Sequence, residues 1–177
     1  MAKKKELFNN IEEARAYLAE APVLLEKANE GKKIAKIQLI VMIMVVLGSI
    51  GGAALFVALA ENVAPDDNVT GIFMLGMVLI PMILSYVAII LSIVAYHKGG
   101  GFGKYMNTFK EIAKWGWLLI PIFPADLCIA LLAIACGLSI MLYFPLAFIS
   151  MHVNSIRKNT AAAEAYIRRN QQAVAFA

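Results

Sequence analysis

The stretch from Ile37 to Ala60, IQLIVMIMVVLGSIGGAALFVALA, contains 24 residues and no charged side chain. An α-helix needs about 20 apolar residues to cross the hydrocarbon core of a membrane. The stretch is longer than the apolar core of a signal peptide, and 36 residues precede it. We therefore expect a transmembrane helix that is retained in the protein.

Two further apolar runs follow, at residues 69–95 and 115–153. The second run is too long for one helix, and its Pro121 and Pro124 lie just before Asp126, a residue type that often caps a helix. We predict an all-α, polytopic integral membrane protein with four transmembrane helices, of which the last two form a tight, proline-broken hairpin. The predicted spans are residues 37–60, 69–95, 105–123 and 127–153.

The position of Asp126 depends on where this hairpin turns. If the chain turns at the two prolines, Asp126 lies near the outer face and caps the return helix. If it turns at Cys136 and Gly137, Asp126 lies inside the bilayer. An acid inside a membrane is a functional hypothesis by default, so Asp126 is a candidate ion or proton site.

The composition supports a membrane protein with short polar ends. Hydrophobic residues make up 61% of the chain and charged residues 16%, whereas soluble domains average about 45–50% and about 25%. Each polar end is shorter than the roughly 40 residues that a chain needs to fold unaided. We divide the sequence into a cytoplasmic amphipathic head (1–36), a transmembrane bundle (37–153) and a basic cytoplasmic tail (154–177).

The basic residues predict the orientation. All 16 Lys and Arg residues lie outside the apolar stretches, and in this topology they all face one side of the membrane. The loop at residues 61–68 has none, but it contains Glu61, Asp66 and Asp67. Because cytoplasmic loops are rich in Lys and Arg, we expect both termini in the cytoplasm. The short loops and the lack of a cleaved leader fit a multi-pass protein of the plasma membrane, the inner membrane in a bacterium.

The net charge of +4 has two interpretations, a nucleic-acid partner or a lipid surface. Basic residues that flank apolar spans usually attract anionic lipid headgroups. We therefore expect the partners to be the lipid bilayer and anionic headgroups at its inner face, with no nucleic acid.

Apolar side chains recur in the head at alternating spacings of four and three residues, a heptad-like stripe. They are Leu7, Ile11, Ala14, Leu18, Ala21, Leu25 and Ala28. The stripe could bind a partner helix, or it could lie on the membrane surface or on the protein's own loops; the many alanines favour the second interpretation. We expect Asn9 and Asn10 to cap the helix, Pro22 to kink or divide it, and Gly31 to end it.

Small residues in the first span form a candidate packing face. Gly48 and Gly52 make a GxxxG pattern, and Ser49 and Ala53 make a second pair at the same spacing. Small residues allow the backbones of two membrane helices to approach closely. We expect this face to pack against another helix of the same chain in preference to a second copy of the protein.

Prolines mark the expected helix kinks. Pro81 lies near the middle of the second span and Pro145 lies in the fourth, while Pro121 and Pro124 break the last apolar run. A proline inside a helix removes one backbone hydrogen bond and bends the helix. Such kinks are static in most proteins and act as hinges in some.

The sequence contains little that could support catalysis. His97 and His152 lie at the inner ends of spans, where we interpret them as interfacial residues. Cys128 and Cys136 are too far apart on one helix for a disulfide. The glycines at residues 99–101 are interpreted as a flexible turn. We expect no enzyme activity, no metal and no cofactor.

The sequence leaves two functional hypotheses. The first is a scaffold, adaptor or regulatory subunit that acts through helix packing and its cytoplasmic termini. The alternative is an oligomeric transport or channel component for ions or small solutes, using Asp126 and the proline-kinked helices. Both hypotheses allow a membrane-protein partner or a second copy of the chain, and no motif identifies a process or a substrate.

Overall fold

The computed structural model describes residues 7–62, 67–116 and 139–175, which form helices joined by short turns. None of these residues forms a strand, which confirms the all-α prediction. The helices are α1 (Ile11–Asn62), α2 (Asp67–Gly99), α3 (Gly103–Gly116), α4 (Ser139–Tyr143) and α5 (Pro145–Ala175).

The start of α1 is capped by side chains. Asn10 Oδ1 accepts a hydrogen bond from the backbone N–H of Glu13 at 2.6 Å. Glu13 Oε2 in turn accepts one from the backbone N–H of Asn9 at 2.9 Å. The first bond satisfies an N–H group that a helix leaves unpaired at its start, and the second ties the residue before the cap to the first turn. The predicted cap is confirmed for Asn10, while Asn9 contributes its backbone instead of its side chain.

The helix α1 continues through Pro22 and Gly31 for 52 residues. The prediction that Gly31 ends a helix is therefore wrong, and Pro22 does not divide α1 into two helices. At 1.5 Å per residue, α1 is roughly 78 Å long. One helix thus joins the predicted head to the first apolar stretch.

Gly31 is instead a packing residue between α1 and α2. Only four residues separate these helices, so they run antiparallel, and Gly31 meets Gly99 at the end of α2. A Cβ atom on Gly31 would lie 2.5 Å from the Cα of Gly99 and 2.5 Å from the carbonyl oxygen of Ala95. This backbone approach is possible only because residue 31 has no side chain.

The helix α5 packs antiparallel against the first half of α1. Ala28 contacts Val153 and Ile156, and Ala14 contacts Ala163 further along α5. Four alanines of α1 spaced seven residues apart are buried: Ala14, Ala21, Ala28 and Ala35. This spacing is the repeat of a coiled coil. Ala14 and Ala28 lie in the seam between the two helices, and Ala35 lies in the main core with Ile149. We call the antiparallel pair, residues 8–35 with residues 149–175, the stalk.

The predicted head and tail are therefore not short separate helices. No helix end occurs at residue 36 or at residue 153, since α1 and α5 cross these positions without interruption. The two polar ends continue the apolar helices and pack against each other. Burial of the alanine seam explains why two segments too short to fold alone are ordered together.

The helix α3 follows a glycine turn and packs back along α2. Gly100 and Gly101 have φ angles of 66° and 74°, a conformation that glycine adopts readily. The hydroxyl of Tyr86 donates a hydrogen bond to the carbonyl of Ala113, which ties the far end of α3 to α2. The main core lies nearby and contains Ala35, Ala95, Tyr96, Met106, Phe109, Ile112, Leu142 and Ile149.

The structure supports the predicted spans in part. Two helices in the described part of the chain, α1 and α2, are long and apolar enough to cross a membrane, with the candidate spans Ile11–Gly52 and Leu79–Gly99. The 14 residues of α3 rise about 21 Å, less than the roughly 30 Å needed. The rest of the third predicted span and the predicted hairpin break lie outside the described residues; with them lie Pro121, Pro124, Asp126, Cys128, Cys136 and Gly137.

The two described prolines in the later apolar runs behave differently. Pro81 lies inside α2, which continues on both sides of it. Pro145 does not bend a longer return helix as predicted. The helix is interrupted at Phe144, and Pro145 is the first residue of α5. Proline suits this position, since its fixed φ is helical and the first turn needs no N–H donor there.

Candidate functional site

The part of α1 that follows residue 36 and the facing part of α2 together expose a large apolar surface. Its large side chains are each at least 37% exposed, and they are Ile37, Ile40, Ile43, Met44, Val46, Leu47, Ile50, Leu55 and Val57 of α1 with Leu79, Ile80, Ile83, Val87, Ile90 and Val94 of α2. From Ile37 to Val57 the helix rises roughly 30 Å, the thickness of a hydrocarbon core. An apolar surface this large marks a membrane or protein contact. We call it the apolar band.

Basic residues lie at the edge of this band. Lys32, Lys33 and Lys36 come just before Ile37 on α1, and Lys98 follows the last band residue of α2. Because Gly31 and Gly99 are in contact, these four lysines lie at one level of the bundle. We call this set the basic collar.

The stalk has a polar surface on the other side of the collar. Its α1 half, residues 8–35, carries five acidic and four basic residues, two of which belong to the collar, whereas residues 149–175 carry four basic residues and one acidic residue. At its tip the ring of Phe8 packs on Tyr17 at 5.7 Å and on Tyr166 at 6.3 Å. The stalk is thus a closed helix pair with charged surfaces that suit water.

The stalk shows what covers the predicted heptad-like stripe. Ala14, Ala21 and Ala28 are buried, and Ala14 and Ala28 pack against α5 of the same chain. The favoured interpretation, a stripe lying on the membrane surface or on the protein's own loops, therefore does not describe Ala14 and Ala28, which pack against another helix. Neither interpretation named the chain's own C-terminal helix as the partner.

A buried polar cluster lies where α4 ends, close to the level of the collar. Three consecutive carbonyls of α4 accept hydrogen bonds from side chains of α1 and α2. The pairs are Tyr96 with Met141, Ser92 with Leu142 at 2.7 Å, and Gln38 with Tyr143 at 3.4 Å. The helix break is thus held by side chains from two other helices.

The break explains why these carbonyls take side-chain donors. Pro145 has no N–H, so it cannot donate to the carbonyl of Met141 as a residue in a continuous helix would. The N–H of Ala147 donates to the carbonyl of Phe144 at 3.1 Å instead of reaching Tyr143. Buried carbonyls need partners, and the side chains of the cluster supply them.

Gln38 has one further property. It is 1% exposed, and its buried Oε1 atom accepts no hydrogen bond from the residues that the structure describes. An unpaired buried acceptor costs about 1–3 kcal/mol. Such a group in an apolar core is a candidate functional residue.

An apolar groove lies beside the same break. It has a volume of about 340 Å³, and its wall exposes no polar atom. Its lining residues come from α1 and from the end of α4, and they are Leu39, Met42, Ile43, Val46, Leu47, Tyr143 and Phe144. The groove opens on the apolar band, since most of its α1 residues belong to both.

The predicted packing face lies beyond the groove on α1. Gly48 and Ser49 are exposed, and Gly52 is half-buried. No described atom lies within 4 Å of a Cβ built on Gly48, and the side chain of Ala53 lies outside the described part. The packing role of these four residues stays a prediction.

The two histidines occupy different environments. His97 is exposed on α2, whereas the ring of His152 packs edge-on to Phe102 with centroids 5.4 Å apart. The ring of His152 also lies against the turn at Gly101. Among the residues that the structure describes, no three His, Cys, Asp or Glu side chains group as metal ligands.

Sequence reasoning missed the polar cluster, although a signal was present. Gln38 and Ser92 are polar residues inside long apolar runs, and such residues mark helix contacts or functional sites in membrane proteins. The proline at position 145 also indicates a carbonyl without a helical partner four residues earlier. No local signal links Gly31 to Gly99, because their contact depends on how two distant segments cross.

No family model, curated protein or solved structure matches this chain. The arrangement of its own helices is therefore the guide to its function.

Proposed function

We propose that this chain is an integral protein of the plasma membrane that acts as a scaffold, adaptor or regulatory subunit. The continuity of α1 carries the proposal. This one helix forms part of an apolar band as thick as a bilayer and also one of the two helices of the polar stalk. A protein built this way holds a fixed structure at a fixed distance from a membrane. It needs no catalytic group, cofactor, metal or nucleic acid to do so.

The proposed placement puts the apolar band in the hydrocarbon core and the basic collar among the inner headgroups. Four spans then cross the membrane, close to the ranges expected from the sequence, with the fourth ending near residue 149, where the stalk begins. The stalk and both termini lie in the cytoplasm, because Lys and Arg concentrate on that side. The acidic residues Asp66 and Asp67 lie outside.

The stalk is the proposed partner-binding part. From Ile11 to Ala35 it extends about 36 Å, well beyond the headgroup layer. Its two helices present opposite net charges, and Val23 is 53% exposed on the acidic helix. A paired, continuous helix also transmits a tilt of the membrane part to the stalk tip.

The polar cluster supports a second candidate, a transport or channel component. Transporters often bind their ions at broken helices whose freed carbonyls face the protein interior. The break before Pro145 and the unpaired Oε1 atom of Gln38 have this character. Asp126 remains the residue that would supply a charge to such a site.

Cross-linking in native membranes separates the two candidates. A photo-reactive residue replaces Val23 on the stalk, and the matched control replaces Ile83 on the apolar band. The adaptor proposal expects a defined adduct with a different protein from position 23 and none from position 83. A ladder of homo-oligomers from both positions, without a hetero-adduct, would favour the transport candidate.

A further inference from the structure

The apolar groove follows a single face of α1 that begins with a lysine. Leu39, Ile43 and Val46 line the groove, and their spacing of four and three residues places them on one helix face. Lys36 lies three residues before Leu39 on this same face and is exposed. The groove and this lysine therefore form one continuous surface.

The dimensions of this surface correspond to one leaflet of a bilayer. From Lys36 to Leu47 the helix rises about 16 Å, and half of a hydrocarbon core is about 15 Å. The groove volume of about 340 Å³ is at the small end of ligand pockets, which run from about 300 to 1,000 Å³. The space suits one hydrocarbon chain and not a bulkier ligand.

The helix break creates the other wall of the groove. Because α4 ends at Tyr143, Phe144 leaves the helix and its side chain is 56% exposed beside α1. Hydrogen bonds from Gln38 and Ser92 hold the carbonyls of this segment. The groove is thus preformed by a hydrogen-bonded break instead of being a gap between two smooth helices.

We propose that this groove binds one acyl chain of an anionic phospholipid of the inner leaflet, with the phosphate held at Lys36. Charge complementarity selects this occupant, since Lys32 and Lys33 of the basic collar lie within one turn of Lys36. A zwitterionic lipid such as phosphatidylcholine would fill the groove equally well, but its choline cation offsets the charge of its phosphate, so it gains less from the lysines. The inference rests on the membrane location proposed above.

The test measures lipid retained by the full-length protein in nanodiscs that contain equal amounts of phosphatidylglycerol and phosphatidylcholine. The groove is filled by Val46→Trp or, more mildly, by Ile43→Phe, and the control Ile83→Trp adds the same bulk on α2. Lys36→Gln removes the headgroup contact, and Lys110→Gln on α3 is its control. Native mass spectrometry counts the retained lipids.

We expect one tightly held phosphatidylglycerol per wild-type chain. Filling the groove should lower its retention at least tenfold, and Lys36→Gln should lower it about fivefold, which corresponds to about 1 kcal/mol per lysine. Both controls should retain the lipid. A thermal melt identifies which of the two groove variants is folded, and one folded variant is enough for the comparison with Ile83→Trp.

Equal retention by the groove variants and Ile83→Trp would overturn the proposal and indicate that residues 117–138 of the chain or exchanging bulk lipid cover the groove. Equal retention of the two lipids by the wild type would overturn the selection of an anionic lipid, and unchanged retention in Lys36→Gln would overturn the headgroup contact. A chain that stays outside the nanodisc would refute the membrane location itself. This last result differs from a chain that inserts but shows no lipid preference.

Discussion

Two glycines of α1 differ in what surrounds them, and this difference predicts opposite effects of the same substitution. Gly31→Ala places a methyl group 2.5 Å from backbone atoms of Ala95 and Gly99, which can move only if the helices separate. We expect a loss of about 1–3 kcal/mol, the range for overpacking. Thermal unfolding of the purified protein measures the change.

Gly48→Ala is the matched control, because no atom of the described residues lies within 4 Å of the added methyl group. Alanine favours a helix over glycine by about 1 kcal/mol, so the variant should be as stable as the wild type or more stable. A clear loss of stability in Gly48→Ala would show the packing contact that the GxxxG pattern predicts.

The polar cluster yields a ranking of two substitutions. Ser92→Ala removes a 2.7 Å hydrogen bond and leaves the buried carbonyl of Leu142 unpaired, at a cost of about 1–3 kcal/mol. Gln38→Leu removes a longer bond of 3.4 Å and also removes the unpaired Oε1 atom, so it should cost less. Urea unfolding should give this order. A folded Gln38→Leu protein without its cellular phenotype would support the transport candidate.

Asp126 lies outside the described residues, and its prediction comes from the sequence. As a helix cap, it can be replaced by Asn with little effect, whereas Ala should cost about 0.5–2 kcal/mol. We expect Asp126→Asn to fold and function and Asp126→Ala to be less stable in thermal unfolding. A folded Asp126→Asn protein that has lost its cellular phenotype would identify an embedded charge.

The pairing of α1 with α5 depends on a seam of alanines. Ala28 is fully buried against Val153 and Ile156, so Ala28→Leu should separate the helices and cost about 1–3 kcal/mol. Ala19→Leu, at an exposed position of the same helix, should have little effect. Hydrogen exchange along the stalk would report the loosening. Equal protection in the two variants would contradict the close seam.

The helices themselves show what local sequence predicts well. The cap at Asn10 and the long apolar helices follow from neighbouring residues, since capping and membrane-length hydrophobicity act over a few turns. Pro22 and Gly31 carried the signals of a helix end, yet α1 continues through both. Burial of the alanine seam and the crossing at Gly31 outweigh the local preference against a helix there.

The topology of the entire chain is tested by labelling. With Cys128 and Cys136 replaced by alanine, a cysteine at Asp67 should react with a membrane-impermeant reagent applied to intact cells. A cysteine at Gln171, at the exposed end of α5, should react only after the cells are opened. Labelling at Gln171 from outside would reject the four-span arrangement and favour three spans.

The sequence by itself determined that the described part of this protein is helical and where its apolar segments lie. These properties depend on composition and on contacts within one helix, so they can be predicted from residues close together in the chain. Lys36 and Ile37 mark the edge of the apolar band in this way.

Only the tertiary structure decided which helices meet. The contact of Gly31 with Gly99, the pairing of Ala28 with Val153 and the donation from Ser92 to the carbonyl of Leu142 each join residues at least 50 positions apart. Such contacts depend on the close packing of several helices at once, and no pattern within one segment contains that information.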